Sequence, residues 1–369
     1  MGVDMRLRRY TAEWWEYLTA NSKYQGLDLL RAIAITVVVL WHFDSTMFRT
    51  GWTGVNLFFI LSGFLIGTIL LKAFEAARFS YWGYLTSRFL RIYPLYIVVV
   101  AFYLFHMHAR GFVTDPESLL AIAALQASFL PTLAYDFWGL QLPYYAVTWS
   151  LVVEIAFYIT IPVILFVLFK LRIVWVGLLV LAGAFLWLRF GIASTLNPDD
   201  PNWHFVYFLR PYFRYDELLY GVAVAYAVHR RYGALRWTFL VAGLVGLAII
   251  SHYIWHIPKA DQYPSMALMT WESVVFPTLL AAIFAAIVYG VYDKRWSCTP
   301  VNAIARLAYP LYLTHYLIIP LSFGWTSYLL FSLAASVVTS FAIEYPFIRL
   351  YKNRREQAAV SAGTPLSPA

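Results

Sequence analysis

Apolar residues along this chain come in long unbroken runs, not in strict alternation and not as a one-sided helical stripe. The runs at about 27–43, 54–73, 90–108, 147–169, 173–190, 212–229, 237–256, 271–292, 300–320 and 325–350 are each long enough to cross a ~30 Å hydrocarbon core as a helix. A segment that is apolar on every side must be covered by lipid or by others of its kind. The pattern therefore predicts an all-α, polytopic membrane bundle of about ten transmembrane helices. Lys and Arg gather in the gaps, at Lys72 and Arg78, Arg88 and Arg91, Lys170 and Arg172, Arg230, Arg231 and Arg236, Lys294 and Arg295, and Lys352, Arg354 and Arg355. With ten crossings all of these clusters fall on one side, which the positive-inside rule makes the cytoplasm, together with both termini. One further apolar stretch, Ser118 to Tyr135, is also long enough to cross. An eleventh crossing there would reverse every later loop, so residues 117–146 are read as an extracytoplasmic or re-entrant excursion. Residues 1–25, with Arg6, Arg8, Arg9, Trp14 and Trp15, read as an interfacial helix on the cytoplasmic leaflet. Residues 353–369, which end in Ala, Ser, Gly and Pro, read as a disordered cytoplasmic tail.

Composition narrows this picture. Of 369 residues, 62% are hydrophobic and only 12% charged, too little polar surface for a soluble protein of this length. The net charge of +8 would suit nucleic acid, but it is dispersed in short clusters between apolar runs. Orientation in the bilayer accounts for it, and no nucleic-acid binding is expected. Cys298 is the only cysteine, which excludes an internal disulfide and a cysteine-based metal site. His106 with His108, and His252 with His256, are the close histidine pairs; no HExxH pattern accompanies them, so no metal is expected. The Arg-rich, aromatic start lacks the core and cleavage site of a signal peptide.

Candidate chemistry sits inside the spans. The run GLDLLRAIAITVVVLWHF, Gly26 to Phe43, carries Asp28, Arg31 and His42, and an ionisable side chain at membrane depth costs about 3 kcal/mol unless it faces protein or water. Eleven helical residues separate Arg31 from His42, about three turns and ~16 Å, so both point to nearly the same face at different depths. Glu154 lies about two turns inside the outer end of its span, at a depth comparable to His42. Arg214, Asp216 and Glu217 open the sixth span from outside, and Tyr312 and His315 approach the outer end of the ninth. At the inner end Arg88 and Arg91, spaced i and i+3, share a helical face with Arg31 nearby, a set suited to phosphate. Structural readings compete at several of these positions. His315 reads as readily as a hydrogen-bonded helix-end residue, Arg88 and Arg91 as charge anchors, Tyr312 as part of an aromatic belt, and Ser62-Gly63 as a packing or kink site more than as a nucleophile. A transporter or flippase would also line a path with buried charge, although no internal repeat is found. A non-catalytic scaffold is the third reading.

Taken in order, GLDLLRAIAITVVVLWHF, GVNLFFILSGFLIG, SRFLRIYPLY, TWSLVVEIAFY, AYPLYLTHYLI and FAIEYPF resemble the membrane acyltransferase 3 family, which includes O-acetylases of bacterial surface polysaccharides. The resemblance implies an acyltransferase domain over 26–352, without a fused esterase-like domain, in the bacterial cytoplasmic membrane. It implies acyl-CoA, most commonly acetyl-CoA, as co-substrate, no tightly bound cofactor, and a hydroxyl acceptor on a carbohydrate or small molecule, modified at the extracytoplasmic side. The family's Arg-x10-His signature falls on Arg31 and His42, its RxxR element on Arg88 and Arg91, and its Trp-Ser-Leu-x-x-Glu element on Trp149, Ser150, Leu151 and Glu154. Asn56 stands where Asp is more usual, so no charge-based role attaches to it. In this reading His42 is the general base, Glu154 orients it, and Arg31, Arg88 and Arg91 hold the CoA phosphates. Arg214, Asp216, Glu217, Tyr312 and His315 receive the acceptor. Direct transfer and a covalent acyl-enzyme both fit, as does N-acylation of an amino sugar.

Overall fold

The structure, a computed structural model, describes residues 2–130, 145–194, 211–256 and 270–361. All regular structure among these residues is helical. In chain order the helices are α1 (Gly2–Thr19), α2 (Gln25–Phe43), α3 (Thr53–Glu75), α4 (Tyr81–Ala109), α5 (Pro116–Ala127), α6 (Trp149–Lys170), α7 (Val174–Ala193), α8 (Pro211–His229), α9 (Arg236–His256), α10 (Thr270–Val291), α11 (Thr299–Ile318), α12 (Trp325–Thr339) and α13 (Tyr345–Ser361). A 3₁₀ turn at Ala146–Thr148 leads into α6, and a π turn at Ser340–Glu344 joins α12 to α13.

Eight helical segments among the described residues are long and apolar enough to cross a membrane: α2, α3, α4, α6 with its leading turn, α7, α9, α10, and the continuous run from α12 into α13. The other two expected crossings, α8 and α11, have 19 and 20 residues and hence the length, but not the apolarity. Arg214, Asp216 and Glu217 interrupt α8; Asn302, Arg306 and His315 interrupt α11. The ambiguous stretch after α4 resolves in part. Asp115 caps α5 by accepting the Ser118 N–H at 2.7 Å, Pro116 occupies the first turn, and the helix stops after 12 residues. Those residues rise ~18 Å, short of a bilayer core. Residues 131–144 lie outside the described set.

The bundle is organised around α3, which packs against α2, α6, α8 and α10. Its tightest neighbour is α8, and small residues make this possible: Gly63 and Gly67 on α3 face Gly221 and Ala225 on α8. A Cβ on Gly63 would stand 2.0 Å from the Leu218 carbonyl oxygen, and one on Gly221 2.2 Å from that of Ile60. Helices in lipid gain little from apolar burial, so backbone approach of this kind supplies the packing energy. The pair Ser62-Gly63 is thus half a packing site, as the sequence suggests; Ser62 itself is taken up below.

The amphipathic α1 does more than lie on a surface. Trp14 and Leu18 are buried against Leu307 and Tyr345. The Tyr10 hydroxyl donates to the Phe341 carbonyl at 2.6 Å, the Trp14 indole N–H to Ser340 Oγ at 3.4 Å, and Arg349 pairs with Glu13 at 2.8 Å. The wide π turn thus has its backbone and hydroxyl engaged by α1. The opposite face exposes Met5, Leu7, Trp15, Arg6, Arg8 and Arg9, as an interfacial helix requires. At the other terminus α13 runs to Ser361, so residues 353–361 are helical where the sequence reading has a disordered tail. The helical period started at Tyr345 continues through the basic turn Lys352, Arg354 and Arg355, whose residues are good helix formers. Residues 362–369 are outside the described set.

Candidate active site

Five helices, α2, α3, α4, α6 and α11, surround a cavity with about 970 Å³ of space, its open mouth included. Arg31 enters it from α2, Arg88 and Arg91 from α4, Glu154 and Tyr158 from α6, and Arg306, Tyr309 and Tyr312 from α11; Ser62 and Ser150 lie among them. Each is placed by its helix. Arg31 is held by Asp28 one turn earlier on α2, Nη1 to Oδ1 2.9 Å. The three-residue spacing of Arg88 and Arg91 puts both on the inner face of α4. Four guanidinium groups therefore converge on one end, with Glu154 and Glu344 as the carboxylates in the field of Arg91. Such a set suits a ligand carrying several negative charges, each held by charge-assisted hydrogen bonds.

The hydroxyl groups of the cavity are ordered among themselves. Tyr158 donates to Glu154 Oε2 at 3.2 Å, which leaves Ser62 Oγ as donor to the Tyr158 oxygen at 2.9 Å. Tyr312 donates to the Val147 carbonyl at 2.7 Å and accepts from Ser150 at 2.7 Å. Arg31, Arg88, Arg91, Glu154 and Tyr312, which the sequence singles out, thus share one cavity.

His42 and His315 stand beyond it and form a pair. His315 Nε2 lies 3.2 Å from His42 Nδ1, with the ring centroids 4.8 Å apart. Their protons follow from their backbone partners. His42 Nδ1 is 2.9 Å from the Val38 carbonyl and His315 Nδ1 3.0 Å from the Leu311 carbonyl, and a carbonyl only accepts. Both Nδ1 atoms therefore carry hydrogen, an assignment inferred from the network. His315 Nε2 is then an acceptor for His42 Nδ1–H, and His42 Nε2 keeps its lone pair without a hydrogen bond among the described residues. Tyr312 links the two parts: it lines the cavity, and its ring centroid is 6.0 Å from that of His315.

Comparison with known proteins decides the family. The profile of the acyltransferase-3 family, described as an acyltransferase domain, matches residues 24–349. The chain belongs to the acyltransferase-3 family. It is 28% identical over 328 residues to a peptidoglycan O-acetyltransferase of Listeria monocytogenes, an alignment covering 80% of this chain and 49% of that protein. A putative peptidoglycan O-acetyltransferase of Bacillus subtilis is 26% identical over 331 residues, 82% of this chain and 50% of that one. A putative O-acetyltransferase of Staphylococcus aureus is 30% identical over 150 residues, 38% of this chain and 24% of that one. The chain spans about half the length of the first two relatives. No solved structure matches.

In this acyltransferase-3 chain two sets of candidate residues have partners other than those expected. Glu154 accepts from Tyr158 and is not hydrogen-bonded to His42; the side chain within hydrogen-bond distance of His42 is that of His315. Position along a span fixes depth but not azimuth, and Glu154 faces the cavity beside Tyr158. Arg214, Asp216 and Glu217, expected to receive the acceptor, are buried and internally paired. Arg214 Nε meets Glu217 Oε1 at 2.6 Å, and its guanidinium lies over Trp149, 5.5 Å from the ring centre. Asn56 donates to Glu217 Oε2 at 2.8 Å, so its neutral amide suits the neighbouring carboxylate. Asp216 pairs with Arg189 and accepts from Thr278 at 3.0 Å. These residues tie α3, α7, α8 and α10 together and are absent from the cavity lining. Arg306, Tyr158 and Tyr309 are cavity residues that the sequence reading misses. Arg306 carried a signal, an ionised group six residues inside an apolar run, the same signal that marks Arg31; Tyr158 carried none.

Proposed function

We propose that this protein is a membrane acyltransferase that moves an acyl group, most simply acetyl, from cytoplasmic acyl-CoA to a hydroxyl group of a carbohydrate on the opposite side of the membrane. The observation that carries the reading is the division of one helix between two chemistries: Arg31 of α2 joins Arg88, Arg91 and Arg306 around a cavity, and His42 of α2 stands beyond it with an unengaged Nε2. In this reading the arginine end faces the cytosol, both termini with it, and takes the CoA phosphates. The thioester extends along α2 toward Tyr312 and the histidine pair. His42 Nε2 removes the acceptor hydroxyl proton as the oxygen attacks the thioester carbonyl, the carbon–sulfur bond breaks, and CoA leaves as the thiolate that takes up a proton. His315 holds the His42 ring through Nδ1 and shares the positive charge that develops. Glu154 and Tyr158 position the donor from the cavity wall. A carbohydrate acceptor in the bacterial cell envelope agrees with the relatives named for peptidoglycan O-acetylation.

The test is transfer by the full chain in liposomes supplied with labelled acetyl-CoA on one side and glycan fragments on the other. Label is expected in the glycan, and His42→Gln is expected to lower turnover about 100-fold or more. Labelled acetyl-CoA carried across intact would replace the enzyme reading with transport. Full turnover by a folded His42→Gln protein would remove His42 from the chemistry.

A further inference from the structure

The helix α1 lies outside the matched acyltransferase residues 24–349, yet one of its side chains packs against an arginine that lines the cavity. That side chain is Tyr17. The Arg306 guanidinium, a lining group of the cavity, stands 5.4 Å from the centre of the Tyr17 ring. Glu344, Arg91, Arg306 and Arg31 all act on the phenol electrostatically, and of these Arg306 stands directly against its ring. Its neighbours on the docked face of α1 have their polar atoms engaged: the Tyr10 hydroxyl on Phe341 and the Trp14 indole on Ser340. The Tyr17 hydroxyl has no hydrogen-bond partner among the described residues. If docking of α1 were its only task, phenylalanine would pack against Tyr345 and under Arg306 as well, since neither contact uses the oxygen. Burial, reinforced by Glu344, holds the phenol above its usual range, so at neutral pH it is an O–H donor and not an anion.

We propose that Tyr17 is a binding residue of the donor site: from beside the cavity lining, its hydroxyl donates a hydrogen bond to a phosphate oxygen of the acyl-CoA held by Arg31, Arg91 and Arg306, so that α1 contributes to donor binding at the edge of that site. The proposal rests on the reading of the cavity as the donor site. An O–H donor among guanidinium groups adds direction to an otherwise non-directional field. It also couples the seating of α1, through Trp14 and Leu18, to occupancy of the cavity.

Binding of CoA itself to the purified full chain, measured by calorimetry in detergent, tests this. Tyr17→Phe keeps the ring and removes the hydroxyl; it is expected to weaken CoA about five- to tenfold, with the thermal unfolding midpoint unchanged. Trp15→Ala, on the exposed face of α1, is expected to bind as the parent does, and Arg91→Gln serves as the reference for the donor site. If Arg91→Gln weakens CoA and Tyr17→Phe does not, the Tyr17 proposal is wrong and the donor-site reading stands. If the parent protein fails to bind CoA, or neither substitution changes the affinity, the donor-site reading falls and the Tyr17 proposal with it.

Discussion

At the scale of single residues, the site divides into groups that hold charge and groups that hold a proton. Arg306 belongs to the first. Losing one guanidinium–phosphate contact costs about 1.4 kcal/mol, so Arg306→Gln is expected to raise the KM for acetyl-CoA about tenfold and to leave kcat near the parent value in steady-state assays. In the proposed mechanism His315 belongs to the second, as a positioning residue for His42. Without its Nε2 acceptor the His42 ring loses one of its two partners on Nδ1. His315→Ala is expected to lower kcat by about one to two orders of magnitude, to shift the pH profile of kcat, and to leave the donor KM unchanged; an unaltered pH profile would count against the pairing. Asn56 illustrates how the interior fixes a residue by its neighbour's charge. Asn56→Asp would set a second carboxylate against Glu217 at hydrogen-bond distance, and one of the two would have to take up a proton or separate. A loss of about 2–4 kcal/mol is expected, read as a lowered unfolding midpoint in detergent.

At the scale of elements, the contact between α3 and α8 decides where the site's helices stand. Ser62 reaches the cavity because its neighbour Gly63 lets α3 lie against the α8 backbone, and the hydrogen bond from Asn56 to Glu217 ties the same two helices together. Gly221→Ala puts a methyl group into the Ile60 carbonyl and the Phe64 backbone nitrogen, neither of which can rotate aside as a side chain would. A cost of about 1–3 kcal/mol is expected from overpacking, with loss of transfer activity in parallel. Gly183→Ala on α7 is the matched control: nothing lies within 4 Å of the added methyl, and its midpoint is expected to stay within a degree or two of the parent or rise slightly. The same contact shows why the sequence reading could weigh Ser62-Gly63 but not resolve it. GFLIG on α3 and GVAVA on α8 are both small-residue patterns, and only their apposition shows that they serve each other.

At the scale of the whole molecule, the direction of the site in the membrane is open to a test that the chain itself provides. Cys298, the only cysteine, is exposed at the start of α11, on the end where Asn302 bonds the Thr19 carbonyl of α1. With the arginine end in the cytosol, a membrane-impermeant maleimide is expected to leave Cys298 unlabelled in intact cells and to label it after permeabilisation; labelling in intact cells would invert the proposed path. The polytopic helical class, the order of the long apolar helices and the amphipathic start follow from the chain alone, because a membrane demands long apolar runs, which are a property of local sequence. So do Arg31 and His42 as a pair on one face, since a single helix fixes their separation. Glu154, Arg306, His315 and the residues of α8 meet the rest of the protein across helix contacts, and their roles depend on azimuth, which spacing along one span leaves free. Packing turned Glu154 toward the arginines, closed Arg214, Asp216 and Glu217 into an internal network, and set His315 beside His42. Sequence set the place of each ionisable group along its helix; tertiary structure chose its partner.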